Sequence, residues 1–531
     1  MSEPLPRAAL IERLTAPHDW DVAVIGGGAT GLGLALDAAA RGFDVVLVES
    51  HDFSEGTSSR ATKMLHGGVR YLAQGDIALV REALHERGAV LANAPHLAQR
   101  TPFVMPSYSW WESGFYGTGL KMYDLLAGRQ GLGSTEWLSA RRTRELLPGV
   151  NAQGLAGGVR YWDAQFDDAR LAVALARTAA ARGALVVNHC AAVGLARVDG
   201  KVTGVRWRDQ ETGREGLLAA RCVVNATGVW VDAVRDMDRD EGAPHRPPMV
   251  APSQGVHLIV DRRFLPGTHA LLVPKTADGR VLFALPWLGK TILGTTDTPR
   301  EDLAREPQAF ADDVAFILRE AARYLALAPQ REDVRSIWVG LRPLVKPQRE
   351  DGGGDDTKAL SREHTVLVGR SGLITVTGGK WTTYRTMAED VLDRAMARGL
   401  LERRTGGVTA RLPLVGAAPG RPLGEPPGEH HYGSEAALLR TLPGAQHWLW
   451  RDPESGHGGL SEAMVRFAAR YECAREVADV LARRSRLLFL DAAEAARCAE
   501  PVAAILKEET GREVDVVGFK ALAAQYGRLP G

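Results

Sequence analysis

The sequence predicts an α/β fold: a doubly wound, Rossmann-like unit interleaved with a mixed-sheet second domain, and a small helical domain at the C-terminal end. Three observations predict it. A short apolar strand, a glycine-rich turn and an alanine-rich helix follow one another directly between residues 22 and 41. Through the middle of the chain, β-rich runs alternate with helical stretches, so sheet is mixed with crossing helices. Beyond a Pro/Gly-rich stretch at 414–433, apolar residues recur at helical spacing.

In chain order, residues 22–25 read as a buried strand, "GGGATG" as a turn, and 32–41 as a helix stopped by Gly42. A second strand at 44–48 ends at Glu49 and completes a strand, helix, strand unit. Residues 171–182 form a further helix ended by Gly183, and "ALVVNH" a strand. The Asp199-Gly200 pair between "AVGLARV" and "KVTGVRW" is a hairpin signal, and another strand, "RCVVNATG", follows. Residues 256–261 and 280–285 read as strands of the second domain. Surface connections are expected at "KPQREDGGGDD" near residue 350 and at 414–433. Residues 461–486 and 491–507 have helical spacing, with Val465, Ala468, Ala469, Val477, Val480 and Leu481 available to face a core.

The totals set limits on partners. A chain of 531 residues outgrows a single core, so two or three domains are expected. With 45% apolar and 24% charged residues it belongs to the soluble globular class. A formal charge of +1 supplies no global field for nucleic acid, and none is expected as a partner. Cys190, Cys222, Cys473 and Cys498 lack CxxC spacing, so neither a metal site nor a disulfide framework is expected, and a reducing compartment fits. The N-terminal residues include Glu3, Arg7, Glu12 and Arg13 and lack the apolar run of a signal peptide. The apolar-leaning run at 22–40 is broken by glycines and Asp37, too interrupted to span a bilayer. The expected location is cytoplasmic, with peripheral attachment to the inner face of the cytoplasmic membrane also admitted.

Gly26, Gly28 and Gly31 stand in G-x-G-x-x-G spacing between a strand and a helix. The first permits a tight turn, the second lets a pyrophosphate approach bare backbone, and the third allows close helix packing. Glu49 lies at the separation expected of the acid that binds ribose hydroxyls. The fingerprint serves nicotinamide and flavin nucleotides alike. Thr57, Ser58, Ser59 and Thr62 can donate hydrogen bonds to phosphate or to a heterocycle, or can cap their own loop. Just beyond, "ATKMLHGGVRYL" crowds Lys63, His66, Arg70 and Tyr71 around Gly67 and Gly68.

At this point the residues resemble a known family. The segments "DVAVIGGGATGLGLALDAAARG", "GTSSRATKMLHGGVRYL", "VVNATGVWVD", "LPWLGKTILGTTDT", "VGLRPLV", "LSREHTVLV" and "TVTGGKWTTYRTMAED" occur in the order found in the FAD-dependent glycerol-3-phosphate dehydrogenases. The resemblance runs from about residue 19 to 395 and continues more weakly through "RFAARYECAREVADVLARRSRL". It implies a D-amino-acid-oxidase-like architecture, noncovalent FAD, and oxidation of sn-glycerol 3-phosphate to dihydroxyacetone phosphate. Where many relatives carry a Lys-Gly-Ser-His run, this chain reads "SQGVH" and keeps Gly255 and His257. The domains expected are a catalytic body at 19–400, a linker at 401–433 and a helical domain at 434–531. Within the body, the FAD part is mainly 19–100, 150–245 and 335–400, and the substrate part mainly 100–150 and 246–335.

The resemblance also implies site residues. A phosphate dianion taken from water needs several converging cations, and arginine's planar fork binds its oxygens in pairs. Arg70, Arg342 and Arg362 occupy the motif positions, with Tyr71 as a hydroxyl donor. By spacing alone, Arg70 also fits a surface ion pair, Arg342 a strand end ahead of Pro343, and Arg362 a solvated charge beside Glu363. Oxidation of the carbinol needs a base for its proton. His257 is the candidate, with His66 in reserve, and either also fits a histidine holding a backbone carbonyl. Lys380 would stabilise charge on the reduced flavin or orient the substrate oxygen, so His257, Lys380 and Arg342 are the expected catalytic set. The expected cofactor contacts are Gly26, Gly28, Gly31, Glu49, Thr57, Ser58, Ser59, Lys63, His66, Gly68, Gly228, Gly379, Lys380, Thr382 and Thr383.

For the second half-reaction, Trp110, Trp111, Phe115, Tyr116, Met122 and Tyr123 gather with Lys121 and Arg129. Such a cluster suits an interfacial membrane contact or ordinary core packing. The resemblance makes a quinone the leading acceptor. Other readings are a glycerol-3-phosphate oxidase using oxygen, a flavin amine or amino-acid oxidase, and a flavin-binding redox sensor without turnover. A homodimer is admitted as an assembly.

Overall fold

The computed structural model describes residues 5–68, 76–240, 242, 247–276, 279–346 and 364–531, apart from the side chains of residues 110, 111 and 129. Its first sheet has eight strands and is built around Asp19–Ile25. Val45–Val48 and then Leu185–Val187 lie parallel on one side, Glu215–Asn225 and then Ile374–Gly378 on the other. His364–Val368 closes one edge antiparallel. Strands such as "VVLV" are buried along their whole length, which is what a parallel sheet covered on both faces requires.

Helices Ala29–Ala40, Asp168–Ala181 and Tyr384–Ala397 cover one face. The second begins where the Asp167 carboxylate accepts from Arg170 N at 3.2 Å, and it ends before Gly183 at φ +100. The hairpin Cys190–Val198 and Lys201–Asp209 turns through Asp199 and Gly200, both at positive φ, as the sequence signal requires. It covers the opposite face together with helix Arg7–Thr15, through Ile11 and Leu14. The N-terminal extension is therefore an integral part of this face: Arg7 donates to Asn188 O at 2.5 Å and pairs with Asp209.

The second sheet has ten strands and is mainly antiparallel. Its spine is Val250–Asp261, which pairs along its length with Ser336–Val345 and, on the other side, with Lys290–Gly294. Helix Ala311–Tyr324 packs on one face. The C-terminal helices pack on the other, in a continuous core that joins Met64, Trp287 and Trp338 to Leu481, Phe489 and Leu506. Residues 401–433 pass along the body, with Leu412, Leu414, Leu423 and Tyr432 buried and Leu288 N donating to Leu423 O at 2.7 Å.

The helical spacing at 461–486 covers two elements, Glu462–Tyr471 and a π-helical turn Asp479–Arg484. Long-range partners stop the first. Asn188 Nδ2 donates to Cys473 O at 2.8 Å, Arg484 Nη2 donates to Glu472 O at 2.6 Å, and Cys473 turns to φ +57. The π-helical turn then delivers Arg483 and Arg484 to the buried Asp52, at 2.5 Å and 2.8 Å. Asp479 completes this network with His189 at 3.0 Å and Arg483 at 2.7 Å. Asp52, His189 and Asp479 could geometrically surround a cation, but guanidinium groups already occupy the two carboxylates and the His189 ring already pairs with Asp479.

Removing one member of a buried ion pair leaves its partner uncompensated, at a cost of about 3–5 kcal/mol. Asp52→Ala is expected to lower the stability of the holoprotein by this order, read as a shift of the chemical-denaturation midpoint. Glu500→Ala, which removes an exposed partner of Lys520, is expected to leave that midpoint unchanged.

Candidate functional site

A cavity of about 1890 Å³ opens between the two sheets. One wall is the carboxyl end of the parallel sheet, through Gly26, Glu49, Gly228 and Gly379, which is where ligands bind in open α/β folds. The facing wall belongs to the second sheet, through Met105, Tyr161, His257, Phe283 and Arg342. The volume exceeds the roughly 300–1,000 Å³ of a drug-sized pocket, leaving room for a dinucleotide and a second molecule.

The glycine turn fits a diphosphate. A Cβ on Gly26, whose φ is +109, would lie 2.7 Å from Ala226 O, and one on Gly31 would lie 1.9 Å from Gly26 O. Only bare backbone closes the turn. Helix Ala29–Ala40 starts on Gly28 without a side-chain cap, and Gly28, Ala29 and Thr30 line the cavity, so its positive end faces the ligand space. Ser58 Oγ accepts from Ala29 N at 3.0 Å. The Glu49 carboxylate accepts from Gly27 N at 2.6 Å and His51 N at 2.9 Å, which fixes it at the strand end beside the turn.

Gly26, Gly28, Glu49, Thr57, Ser58, His66, Gly68, Gly228, Gly379, Lys380 and Thr382 all line the cavity. Gly31, Ser59, Lys63 and Thr383 do not, each for a physical reason. Gly31 acts from behind, where its missing Cβ lets the helix approach the turn. Thr383 is buried with its hydroxyl turned back to Lys380 O at 3.3 Å. Ser59 and Lys63 belong to a buried knot instead. Lys63 Nζ donates to Asp168 Oδ2 at 2.7 Å and Ser59 O at 2.8 Å, among the rings of Trp287, Trp338 and Phe489. Burial pulls its ammonium pKa down to about 7, with the Asp168 carboxylate pulling the other way. Asp168 also accepts from Ala61 N at 3.0 Å and Arg486 at 3.2 Å, so it fixes the loop whose outer residues face the cavity.

On the second sheet, antiparallel register sets Ser253 opposite Arg342, Gly255 opposite Gly340 and His257 opposite Trp338. Alternate residues share a face, so Arg342 and His257 project from the same side with a bare glycine pair between them. Arg342 donates to Thr295 Oγ1 at 3.1 Å and contacts Asp297 at 3.2 Å. His257 stacks on Trp338, with ring centroids 5.2 Å apart, and shares a hydrogen bond with Thr62 Oγ1 at 3.0 Å. Burial, then the charges of Lys63 and Arg342, hold its pKa well below 6.5, so the imidazole is neutral. Arg70, Tyr71 and Arg362 lie outside the described residues.

Asp168, Thr295, Asp297 and Trp338 carry no role in the sequence reading. Thr295 and Asp297 sit inside the quoted "GTTDT" segment, which was the available signal.

The model of the FAD dependent oxidoreductase family matches residues 21–385, and that of the C-terminal domain of alpha-glycerophosphate oxidase matches 429–515. Over 536 residues the chain is 41% identical to the mitochondrial glycerol-3-phosphate dehydrogenase SDP6 of Arabidopsis thaliana, covering 93% of this chain and 84% of that one. The chain belongs to the FAD-dependent glycerol-3-phosphate dehydrogenase family. The human mitochondrial glycerol-3-phosphate dehydrogenase is 39% identical over 552 residues, covering 98% of this chain and 74% of its own. Among solved structures, the glycerol-3-phosphate dehydrogenase of Bacillus halodurans, complexed with FAD, superposes with a TM-score of 0.75 at 28% identity over 98% of both chains. The L-alpha-glycerophosphate oxidase of Mycoplasma pneumoniae shares the fold, with a TM-score of 0.56 at 16% identity. Enzymes of this family use FAD, and the glycine turn and helix start described above are of a kind that suits its diphosphate.

Gly31→Ala forces a methyl group against the Gly26 carbonyl and is expected to yield protein with little bound flavin. The ratio of flavin to protein absorbance after purification measures it.

Proposed function

We propose that this chain oxidises sn-glycerol 3-phosphate to dihydroxyacetone phosphate and passes the electrons to a quinone. The observation that carries this reading is the pairing of Arg342 with a neutral, buried His257 on one face of the second sheet, across the cavity from the glycine turn. Bound FAD supplies the hydride acceptor. Arg342 grips the phosphate, with Arg70, Arg362 and Tyr71 as its further ligands. Thr295 and Asp297 aim the Arg342 fork. His257 takes the carbinol proton, and its stacking on Trp338 and bond to Thr62 set the ring plane. Lys380 brings a positive charge to the cavity wall, where negative charge develops during turnover.

The acceptor reading is supported by helix Trp110–Ala127. Phe115, Tyr116, Gly119 and Met122 line the cavity, and Phe115, Met122 and Leu125 are 68%, 50% and 81% exposed on the same helix. An apolar quinone would reach the cavity past this helix while the exposed side chains rest in the membrane interface. No helix among the described residues is long and apolar enough to cross a membrane. A second reading, oxidation by molecular oxygen, draws support from the oxidase-type C-terminal domain match.

Anaerobic addition of glycerol 3-phosphate is expected to bleach the oxidised flavin absorbance rapidly, whereas amino acids leave it unchanged. Reoxidation by a quinone analogue faster than by air supports the dehydrogenase, and the reverse order supports the oxidase. Arg342→Ala should raise the substrate barrier by about 2–5 kcal/mol, as for truncation within a buried charge pair, with FAD content retained. A second expectation concerns pH. Since the neutral imidazole is the base and its pKa is depressed, protonation needs more acid than usual. At saturating substrate no loss of the flavin-reduction rate between about pH 8 and pH 6 should come from His257. Any inflection there, where Lys63 at about 7 and the substrate phosphate titrate, should persist in His257→Gln, and stopped-flow rates of both proteins across that range provide the check.

A further inference from the structure

Residues 300–310 contain neither helix nor strand, yet side chains from three distant segments hold them. Trp230 Nε1 donates to Leu303 O at 3.0 Å. Arg60 donates to Arg305 O at 2.7 Å and to the Glu306 carboxylate at 2.5 Å. The other oxygen of that carboxylate accepts from the Tyr526 hydroxyl at 3.0 Å, and Gln525 Nε2 donates to Glu306 O at 3.3 Å. Tyr526 is buried at the end of the last helix, Val516–Tyr526. A strap from the second domain is thus anchored jointly by the cofactor loop and by the C-terminal domain.

These contacts place Arg305. Its guanidinium lies 4.0 Å from the centre of the Trp230 ring, and Nη2 is 3.5 Å from Ser50 Oγ. Arg305, Trp230 and Ser50 all line the cavity. Ser50 also donates to Glu49 at 3.1 Å, so Arg305 stands at the end of the cavity where the ribose-binding acid is held. The glycine turn there offers amides and a helix dipole but no formal charge. A guanidinium carried in from the strap supplies one, in a form suited to phosphate oxygens.

We propose that Arg305 binds the diphosphate-bearing adenosine half of FAD, and that the 300–310 strap is a clasp held shut by Tyr526 through Glu306. The clasp governs how long FAD stays bound and is independent of which substrate is oxidised. Its readout is FAD release from purified holoenzyme, followed by the rise of free-flavin fluorescence after dilution at several salt concentrations. Arg305→Ala is expected to speed release about tenfold and to flatten its salt dependence, because a cation–phosphate contact is lost. Arg305→Lys, which keeps the charge, should retain the salt dependence. Tyr526→Phe and Glu306→Gln should speed release several-fold and leave the salt dependence intact, since Arg305 remains. Tyr526→Phe deletes one hydroxyl and carries the test if Glu306→Gln fails to fold. Wild-type release rates in Arg305→Ala, or faster release with an unaltered salt dependence, overturn the role of Arg305. Wild-type release in Tyr526→Phe overturns the latch.

Discussion

The carboxylate of Asp168 is the contact on which the site depends. It sits wholly buried at the start of a helix and receives Lys63, Arg486 and the amide of Ala61. The donors come from two distant parts of the molecule. Lys63 and Ala61 belong to the loop that runs along the cavity, and Arg486 comes from the C-terminal domain. The two buried cations are balanced by Asp168 together with the neighbouring Asp167, 3.7 Å from Arg486, and aromatic rings enclose the rest. The loop is thereby held by its back, and its front is free to present Thr57, Ser58 and Thr62. Through Thr62 the same knot reaches the imidazole of His257 on the other sheet.

The C-terminal helices accordingly do more than fill space. Their apolar side completes the core beneath the second sheet, and their arginines neutralise Asp52 and Asp168 in the first domain. A chain without them would expose Trp287 and Trp338 beneath the spine strand, strip both guanidinium groups from Asp52 and leave Asp168 to Lys63 and the Ala61 amide. The catalytic body and the helical domain therefore form one energetic unit, whatever boundary the chain course suggests between them.

Local features were legible in the sequence because local chemistry creates them. The G-x-G-x-x-G turn, the Asp199-Gly200 hairpin and the helices ended by Gly42 and Gly183 each follow from backbone conformations that few residues adopt. The core face named for the C-terminal helices also holds, with Val465, Ala468, Val477, Val480 and Leu481 buried and Ala469 half-buried at its margin. What could not be read was direction over distance. Lys63 lies in a polar, glycine-rich segment beside the cofactor loop, and nothing local distinguishes a side chain aimed at a ligand from one aimed at Asp168, 105 positions away. The break after Tyr471 was hidden for the same reason, since Asn188 and Arg484 supply the contacts that end that helix.

The register of the two central strands of the second sheet has a geometric corollary. Arg342 and His257 are separated by one bare glycine rung, and that interval is set by main-chain hydrogen bonds rather than by adjustable side chains. A Cβ on Gly255 would lie 2.5 Å from the Arg342 guanidinium and one on Gly340 2.6 Å from the Arg60 carbonyl, so the bare rung is what lets these two groups lie over the strands beside His257. Under the roles proposed for Arg342 and His257, the pair spans from a molecule's anionic end to its hydroxyl, and such a span would discriminate chain length before any functional group is compared.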